Sequence, residues 1–345
     1  MRDTTKAPHN LLRSGAIGVA LTVICVFILR FATDRLPATA APTVLRDLGT
    51  LAAGVFIESL PFVILGALIA VAVQLWVPAT MLFKLLPKNA VLRRAALSIL
   101  GVVLPVCECG NVPLARGLLR KGLSPAETLT FVLAAPILNP VTIITTYQAF
   151  GFSDGILIAR IMGGFLIANL IGWVFSHHSN QQLILEPDFA VSCANHDHAH
   201  EHSSDAAKLP WKSQWQRASA SFTSELLLLM PALALGSLLA GAIQTGIPTD
   251  FLAGLGAHPI YSVLALTVLA FTVSICSTVD AFFMLAFASI FLPGGIVAFL
   301  IFGAMIDIKM LLLLRTTFTT RTLAAVTALA LLGALAIGFG VNLFV

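Results

Sequence analysis

The fold is decided by the stretch Leu104-Pro105-Val106-Cys107-Glu108-Cys109-Gly110-Asn111-Val112-Pro113. It lies between strongly apolar segments and combines two thiols, a carboxylate, a glycine and two prolines. Prolines and glycine interrupt a helix, and inside a bilayer the freed backbone groups must be satisfied by protein, water or a ligand. Ionisable side chains at such a place are functional candidates by default. The stretch therefore predicts a broken helix at the centre of a membrane pathway.

The composition defines the class of protein. Of the 345 residues, 58% are hydrophobic and 10% are charged, and the mean hydropathy is +0.95. A soluble domain carries about 25% charged residues, whereas several segments here reach the length of about 20 apolar residues that a spanning helix needs. We therefore predict an all-α polytopic membrane protein whose main partner is the lipid bilayer. The net charge of +4 fits basic loops, so we expect no nucleic-acid partner.

The polar and apolar segments divide the chain into four parts. Residues 1–47 hold an N-terminal transmembrane helix and a loop, and the apolar run at residues 14–31 is too long for a signal peptide. Residues 48–176 form a first repeat and residues 222–345 a second. Between them, residues 177–221 form a hydrophilic, His-rich linker that we expect in the cytoplasm.

The repeat is indicated by landmarks that recur at a nearly constant spacing. Prolines, cysteines and polar residues recur in the same order 168 to 170 residues later: Pro61 and Pro231, Pro78 and Pro248, Cys107 and Cys276, Asn111 and Asp280, Asn139 and Asp307. Chance could supply one such match but hardly all of them in order.

The loop charges indicate how the repeats are oriented. The loop at residues 78–94 is basic, which favours a cytoplasmic position and a cytoplasmic N-terminus. Arg116, Arg120 and Lys121 return to that side if residues 95–119 form a re-entrant hairpin, and cross the membrane if they form one full span. The equivalent loop at residues 248–258 has no Lys or Arg. We therefore predict inverted repeats with two re-entrant hairpins that meet near the midplane, while a ten-span alternative stays open.

The thiols of the central stretch are suited to a soft centre. Cys107 and Cys109 can both coordinate As(III), Sb(III), Cu(I), Zn(II) or Hg(II). Asn111 is a candidate N-cap for a half-helix, whose positive end would favour thiolate in cysteines that lie just ahead of it. The counterpart Cys276-Ser277-Thr278-Val279-Asp280 could add a third thiol, with Thr278 or Asp280 as a cap. In the alternative interpretation, these cysteines are small buried residues at ordinary helix breaks.

Other polar residues in apolar segments are candidates for proton coupling or for the pathway wall. Lys309 is too close in sequence to Asp307 to face it on one helix, so we expect it to pair elsewhere or to snorkel to the surface. Asn139 lies between two prolines and either lines the pathway or satisfies the broken backbone. The full set for proton coupling is Glu58, Glu108, Asp280, Asp307 and Lys309, and the set for substrate contact is Cys107, Cys109, Cys276, Asn111, Asn139 and Ser277.

The linker contains histidines that alternate with small and acidic residues: His196, His198, His200 and His202. Such tracts bind Zn, Ni or Cu loosely, although a flexible hydrophilic linker would have the same composition. No cofactor is required elsewhere in the chain.

Several of these motifs together resemble the ArsP-like (YraQ-like) permeases. The resemblance covers residues 48–345 and is carried by Pro105-x-Cys107-x-Cys109-Gly110-x-x-Pro113-Leu114, Gly122, Phe131-x-x-x-x-Pro136-x-x-Asn139, Cys276-Ser277-x-x-Asp280 and Gly303-x-Met305-x-Asp307-x-Lys309. It implies a multi-pass permease of the bacterial inner membrane. Some members export trivalent organoarsenicals such as methylarsenite, with Cys107 and Cys109 as the matching substrate thiolates.

These observations lead to one main hypothesis and two rivals. We expect a membrane transporter rather than an enzyme: a secondary efflux carrier of trivalent organoarsenicals, coupled to protons because the chain has no Walker-type nucleotide motif. The first rival is a carrier of Zn, Cu or Ni assisted by the His-rich linker. The second rival is a membrane thiol redox protein. Assembly as a homo-oligomer stays open.

Overall fold

The computed structural model describes residues 43–77, 81, 83–84, 86–103, 107–178, 181–191, 211–246 and 258–344. Within these ranges the chain is almost entirely helical, and the only β-pairing is an isolated bridge between Leu185 and Phe318. Several sequence-based predictions lie outside the described residues: the helix at residues 14–31, residues 104–106 of the central stretch, the histidines at residues 196–202, the landmarks Pro78 and Pro248, and most of the loop at residues 248–258.

The described residues form two series of six helices. The first is α1 Thr43–Trp76, α2 Ala90–Val103, α3 Glu108–Arg120, α4 Pro125–Leu138, α5 Pro140–Phe150 and α6 Ile156–Ser176. The second is α7 Trp211–Gly246, α8 Pro259–Val273, α9 Asp280–Leu285, α10 Pro293–Met305, α11 Ile308–Arg315 and α12 Thr320–Phe344. Each series starts with a long helix that contains a proline, Pro61 or Pro231, and each has a break between its fourth and fifth helices.

The long apolar segments are distributed evenly over the two series. By length and composition, six helical segments in the described residues can cross a membrane: Arg46–Trp76, Pro125–Phe150, Ile156–Ser176, Gln214–Thr245, Pro293–Arg315 and Thr320–Phe344. The outer surface of α6 carries exposed Leu166, Leu170 and Trp173. These large apolar side chains suit contact with lipid rather than with water. The predicted class, an all-α polytopic membrane protein, is confirmed.

The helices α2 and α3 form a hairpin that opens at one end of the bundle. They have 14 and 13 residues, so each is about 20 Å long, against a hydrocarbon core of about 30 Å. Arg93 of α2 pairs with Glu127 in the first turn of α4 at 3.2 Å, and Glu127 forms a capping box with Ser124, just after α3 ends. The chain therefore enters and leaves at the same end, which we call the Glu127 end.

The hairpin formed by α8 and α9 begins and ends at the opposite end of the bundle. The side chain of Asn342, in the last turn of α12, accepts a hydrogen bond from Gly294 N at 2.8 Å and donates one to Pro259 O at 3.2 Å. The starts of α8 and α10 therefore lie beside the end of α12. We call this the Asn342 end.

The helix α12 extends from the Glu127 end of the bundle to the Asn342 end. Thr322 in its first turn and Phe175 in the last turn of α6 line one cavity of about 700 Å³, and Gly172 of α6 lies against Ala126 at the start of α4. The first turn of α12 is therefore at the Glu127 end, and its last turn is at the Asn342 end. The two hairpins open at opposite ends of the bundle.

Close backbone contacts fix the two long helices against the centre. A Cβ added to Gly66 of α1 would lie 2.1 Å from the carbonyl oxygen of Gly110 in α3, and one added to Gly236 of α7 would lie 2.8 Å from the Cα of Lys309. Only glycine permits this approach. The start of α3 is therefore held against α1, and the start of α11 is held against α7.

The described part of the predicted linker packs on the bundle. Glu186 forms an ion pair with Arg315 at the end of α11, and the Phe189 ring lies 4.3 Å below the guanidinium of Arg116. On its other side, α7 begins at Trp211, before the predicted boundary at residue 222. The polar composition of these residues reflects contacts at the end of the bundle as well as a connection.

Candidate functional site

The break in the first half begins at Cys107. This residue has extended backbone geometry and is the N-cap of α3, so the prediction that Asn111 caps the helix is wrong. The Cys107 carbonyl accepts hydrogen bonds from Gly110 N at 3.1 Å and Asn111 N at 3.2 Å. Cys109 lies inside the helix rather than ahead of it. Because no side chain caps α3, its positive end faces the centre of the protein without a capping oxygen.

Three ligand-type atoms meet at this helix start. The Cys107 sulfur, a Glu108 carboxylate oxygen and the Cys276 sulfur all lie within 4.8 Å of one another, and all three residues are buried. We call this group the thiol–carboxylate cluster. The structure thus brings Cys276 to Cys107, in agreement with one of the two interpretations of Cys276. The Cys109 thiol is also buried and neighbours that of Cys107, but it is not one of the three grouped atoms.

Glu108 is the centre of the cluster. Its Oε2 accepts hydrogen bonds from Ser277 Oγ at 3.0 Å and Ser277 N at 3.4 Å, and lies 3.9 Å from the Cys276 sulfur. Its other oxygen lies 3.2 Å from the ammonium of Lys309. The hydroxyl of Ser277, predicted to contact substrate, is thus engaged with Glu108.

Lys309 is fully buried beside two carboxylates. Its ammonium donates to the carbonyl of Ser274 at 3.0 Å and lies 3.7 Å from Asp307 Oδ2. The sequence argument against an Asp307 contact was wrong, because the helix breaks at Asp307 and the carboxylate precedes the helix that carries Lys309. Pairing elsewhere is confirmed through Glu108, and snorkelling is excluded because Lys309 is 1% exposed.

Asn139 and Asp307 have the same structural task in the two halves. Asn139 Oδ1 accepts from Val141 N at 2.9 Å at the start of α5, and Asp307 Oδ1 accepts from Met310 N at 2.6 Å at the start of α11. Both are N-caps at the breaks of spanning segments. Of the two interpretations of Asn139, the structure supports satisfaction of the broken backbone.

Asp280 is held by an arginine that the sequence analysis missed. Arg160 Nη2 lies 2.6 Å from Asp280 Oδ2, and Nη1 lies 2.9 Å from Oδ1. The same guanidinium contacts the Ser277 carbonyl and the Thr146 hydroxyl. The predicted caps of α9 are wrong, because the N-cap is Val279. The missed signal was the single charged residue in the apolar segment Ile156–Ser176, which the rule for ionisable residues inside a membrane would have identified.

Glu58 has a different environment from the other carboxylates. It lies near the middle of α1 and is exposed, yet its charge interacts with those of Lys309 and Glu108. A carboxylate exposed at this depth needs water, because lipid cannot solvate it. Glu58 therefore stays a candidate for proton coupling.

A second charged group lies between the centre and the Glu127 end. Glu225 of α7 pairs with Arg116 and, at 2.9 Å, with Arg120. Arg116 also donates to the Thr316 carbonyl at 2.8 Å. Arg116, which was counted among the basic residues that indicate orientation, lies in α3 and is 3% exposed. It joins α3 to the second series of helices.

Comparison with known proteins agrees with this architecture. Residues 44–342 match the model of the ArsP_1 family, described as a predicted permease. The chain belongs to this permease family. The permease is 33% identical over 275 residues to the UPF0718 protein YcgR of Bacillus subtilis (strain 168), covering 80% of this chain and 90% of the relative.

A second relative adds a description of assembly. The permease is 32% identical over 270 residues to a protein of Streptococcus mutans serotype c named "putative two-component membrane permease complex subunit", covering 77% of this chain and 85% of the relative. No solved structure matches the permease. The resemblance to ArsP-like permeases is confirmed, and the chain is a multi-pass membrane permease.

Proposed function

We propose that this permease is a secondary carrier that exports small trivalent organoarsenicals of the methylarsenite kind. The observation that carries the proposal is the thiol–carboxylate cluster, in which two thiols from different halves of the chain and one carboxylate converge in a buried position. Soft thiol ligands select thiophilic centres. A buried group of this kind in a membrane protein is a functional site by default.

The proposal includes inverted repeats and alternating access. It is supported by the two hairpins, which open at opposite ends while Glu108 of one contacts Cys276 and Ser277 of the other. In carriers built this way, one repeat rocks against the other around a site near the midplane. Arg116 and Glu225 close the Glu127 side in this conformation, so exchange of cargo on that side requires their separation.

The binding chemistry is balanced without a redox partner. Methylarsenite, CH₃As(OH)₂, reacts with the thiols of Cys107 and Cys276: two As–O and two S–H bonds break, two As–S bonds form, and two waters leave. Arsenic stays trivalent, and release is the reverse hydrolysis. Glu108 Oε2, 3.9 Å from the Cys276 sulfur, is positioned to accept the thiol proton and return it.

Coupling to protons is assigned to the group around Lys309. Asp280 is occupied on both oxygens by Arg160, which leaves Glu108, Asp307 and Lys309 as the charged groups whose contacts can change when cargo binds. Glu58, exposed and on α1, would connect them to water.

A transition-metal carrier is the second candidate. Cysteine sulfur and glutamate oxygen are ordinary zinc ligands, and the thiol–carboxylate cluster contains both. The contribution of His196, His198, His200 and His202 stays a prediction.

Uptake by everted membrane vesicles tests the proposal. Cys107→Ser and Cys276→Ser should abolish accumulation of methylarsenite, because each removes one of the two As–S bonds. Cys25→Ser and Cys193→Ser, which leave Cys107, Glu108 and Cys276 unchanged, serve as controls and should transport normally. Undiminished accumulation in the first two variants contradicts the thiol site. Thiol-dependent uptake of Zn without uptake of methylarsenite would replace the organoarsenical with a metal ion.

A further inference from the structure

Asn111 is a buried carboxamide whose hydrogen-bonding capacity is unused. The residue is 0% exposed, and neither Oδ1 nor Nδ2 has a hydrogen-bond partner in the described part of the chain. Buried polar side chains are almost always paired, so an unpaired amide in a native protein needs an explanation. Asn111 has two donors and an acceptor to offer.

The position of Asn111 connects it to the thiol–carboxylate cluster. Its backbone N–H donates to the Cys107 carbonyl at 3.2 Å, so the two residues are one helical turn apart. Cys107 is the N-cap of α3, and Asn111 lies in the first turn that follows it. The unpaired amide therefore belongs to the helix start that carries the thiol–carboxylate cluster and has no side-chain cap.

The equivalent position in the second half is fully paired. Asp280 follows Asn111 by 169 residues, and both of its oxygens accept from Arg160. At the same spacing from Arg160, α12 has Leu329, which cannot form a hydrogen bond. Asp280 thus has a resident partner from α6, whereas the Asn111 amide has none among the described residues. A transient partner explains the unpaired amide.

We infer that Asn111 and the N-terminus of α3 form a polar subsite for a hydroxyl group carried by the cargo. This inference rests on the proposed function. A hydroxyl both donates and accepts, which matches a carboxamide. The hydroxyl could be bonded to arsenic while only one thiol has reacted, or it could belong to the organic substituent. The thiols hold the thiophilic atom, and Asn111 selects cargo by the oxygen beside it.

Transport by Asn111→Leu tests the inference and distinguishes the two sources of the hydroxyl. The half-saturating concentration in everted vesicles is measured for methylarsenite, phenylarsenite and hydroxyphenylarsenite. Loss of one hydrogen-bonded group should raise the half-saturating concentration about tenfold. An increase for all three compounds assigns the arsenic-bound hydroxyl, and one confined to hydroxyphenylarsenite assigns the substituent.

Thermal unfolding of the cargo-free protein in detergent separates binding from folding. Asn111→Leu should unfold at the same or a higher temperature than the wild type, because it replaces an unpaired polar group with an apolar one of similar size. The control is Asn139→Leu, which removes a helix cap and should unfold at a lower temperature.

Unchanged half-saturating concentrations for all three compounds, while Cys107→Ser abolishes uptake, overturn the subsite and leave the proposed function standing. No uptake of any of them by the wild type overturns both. A lower unfolding temperature for Asn111→Leu also overturns the subsite, since it reveals a structural role.

Discussion

Replacing Arg160 by leucine should strand a buried carboxylate in the middle of the protein. The guanidinium donates to both oxygens of Asp280, at 2.6 and 2.9 Å, and the two side chains are 1% and 4% exposed. It also contacts the hydroxyl of Thr146 and the carbonyl of Ser277. Leucine offers none of these contacts, and no water replaces them at this degree of burial.

The expected loss is large compared with an ordinary substitution. Removing one partner of a buried ion pair costs about 3–5 kcal/mol, because the other charge stays behind without compensation. Removing both charges costs much less, since an apolar pair of similar volume is often neutral or stabilising. Arg160→Leu should therefore be more harmful than the double variant Arg160→Leu/Asp280→Leu. The coupling between the two sites should be at least about 3 kcal/mol.

The assay is a double-mutant cycle of thermal unfolding in detergent, with wild type, both single variants and the double variant. Arg160→Leu should unfold about 5–10 °C below the wild type, with the double variant recovering most of that loss. The unfolding temperature of Arg160→Lys should fall between those of the wild type and Arg160→Leu, because an ammonium keeps the charge but loses the bidentate contact. Equal stability of Arg160→Leu and wild type, or additive losses in the double variant, would refute the reasoning.

Two further outcomes follow from the packing around α3. Gly66→Ala should destabilise the protein by about 1–3 kcal/mol, since the new methyl group would meet the α3 backbone at 2.1 Å. The control Gly54→Ala should change the stability little, because a Cβ there has nothing within 4 Å. Similar unfolding temperatures for the two variants would contradict the close contact. Glu225→Gln should weaken the closure of the Glu127 side by removing the charge that Arg116 and Arg120 share. A cysteine introduced near Arg116 should then react faster with a charged thiol reagent, and an unchanged rate would show that the pair does not close this side.

Much of the fold could be predicted because the helix breaks are determined by the local sequence. Prolines and short polar residues at Cys107, Asn139 and Asp307 interrupt apolar segments whatever tertiary contacts the chain makes. The structure has its helix breaks at these three residues. The spacing of the breaks also identified Cys276 as a possible neighbour of Cys107, and the two thiols lie in one group.

The partners of the charged groups could not be predicted in the same way. Arg160 and Asp280 are 120 residues apart, and only the packing of helices from both halves brings them together. The same limit explains why Asp280 is not a cap: it has the right chemistry to cap α9, but its oxygens are taken by an arginine of α6. For Lys309, the assumption of an unbroken helix hid the contact with Asp307.

The pairing of Glu108 with Lys309 also has a consequence for biosynthesis. Lys309 follows Glu108 by about 200 residues, and ribosomes add about 5–20 residues per second. For roughly 10–40 s, the first half therefore sits in the membrane with a central acid that has neither its ammonium nor the Ser277 hydroxyl. In that interval Glu108 must be hydrated, neutral or sheltered by another protein. The first half completes its core only when the end of the chain arrives, so a ribosome that stalls in the linker leaves behind a fragment with an exposed acidic group for membrane quality control to recognise.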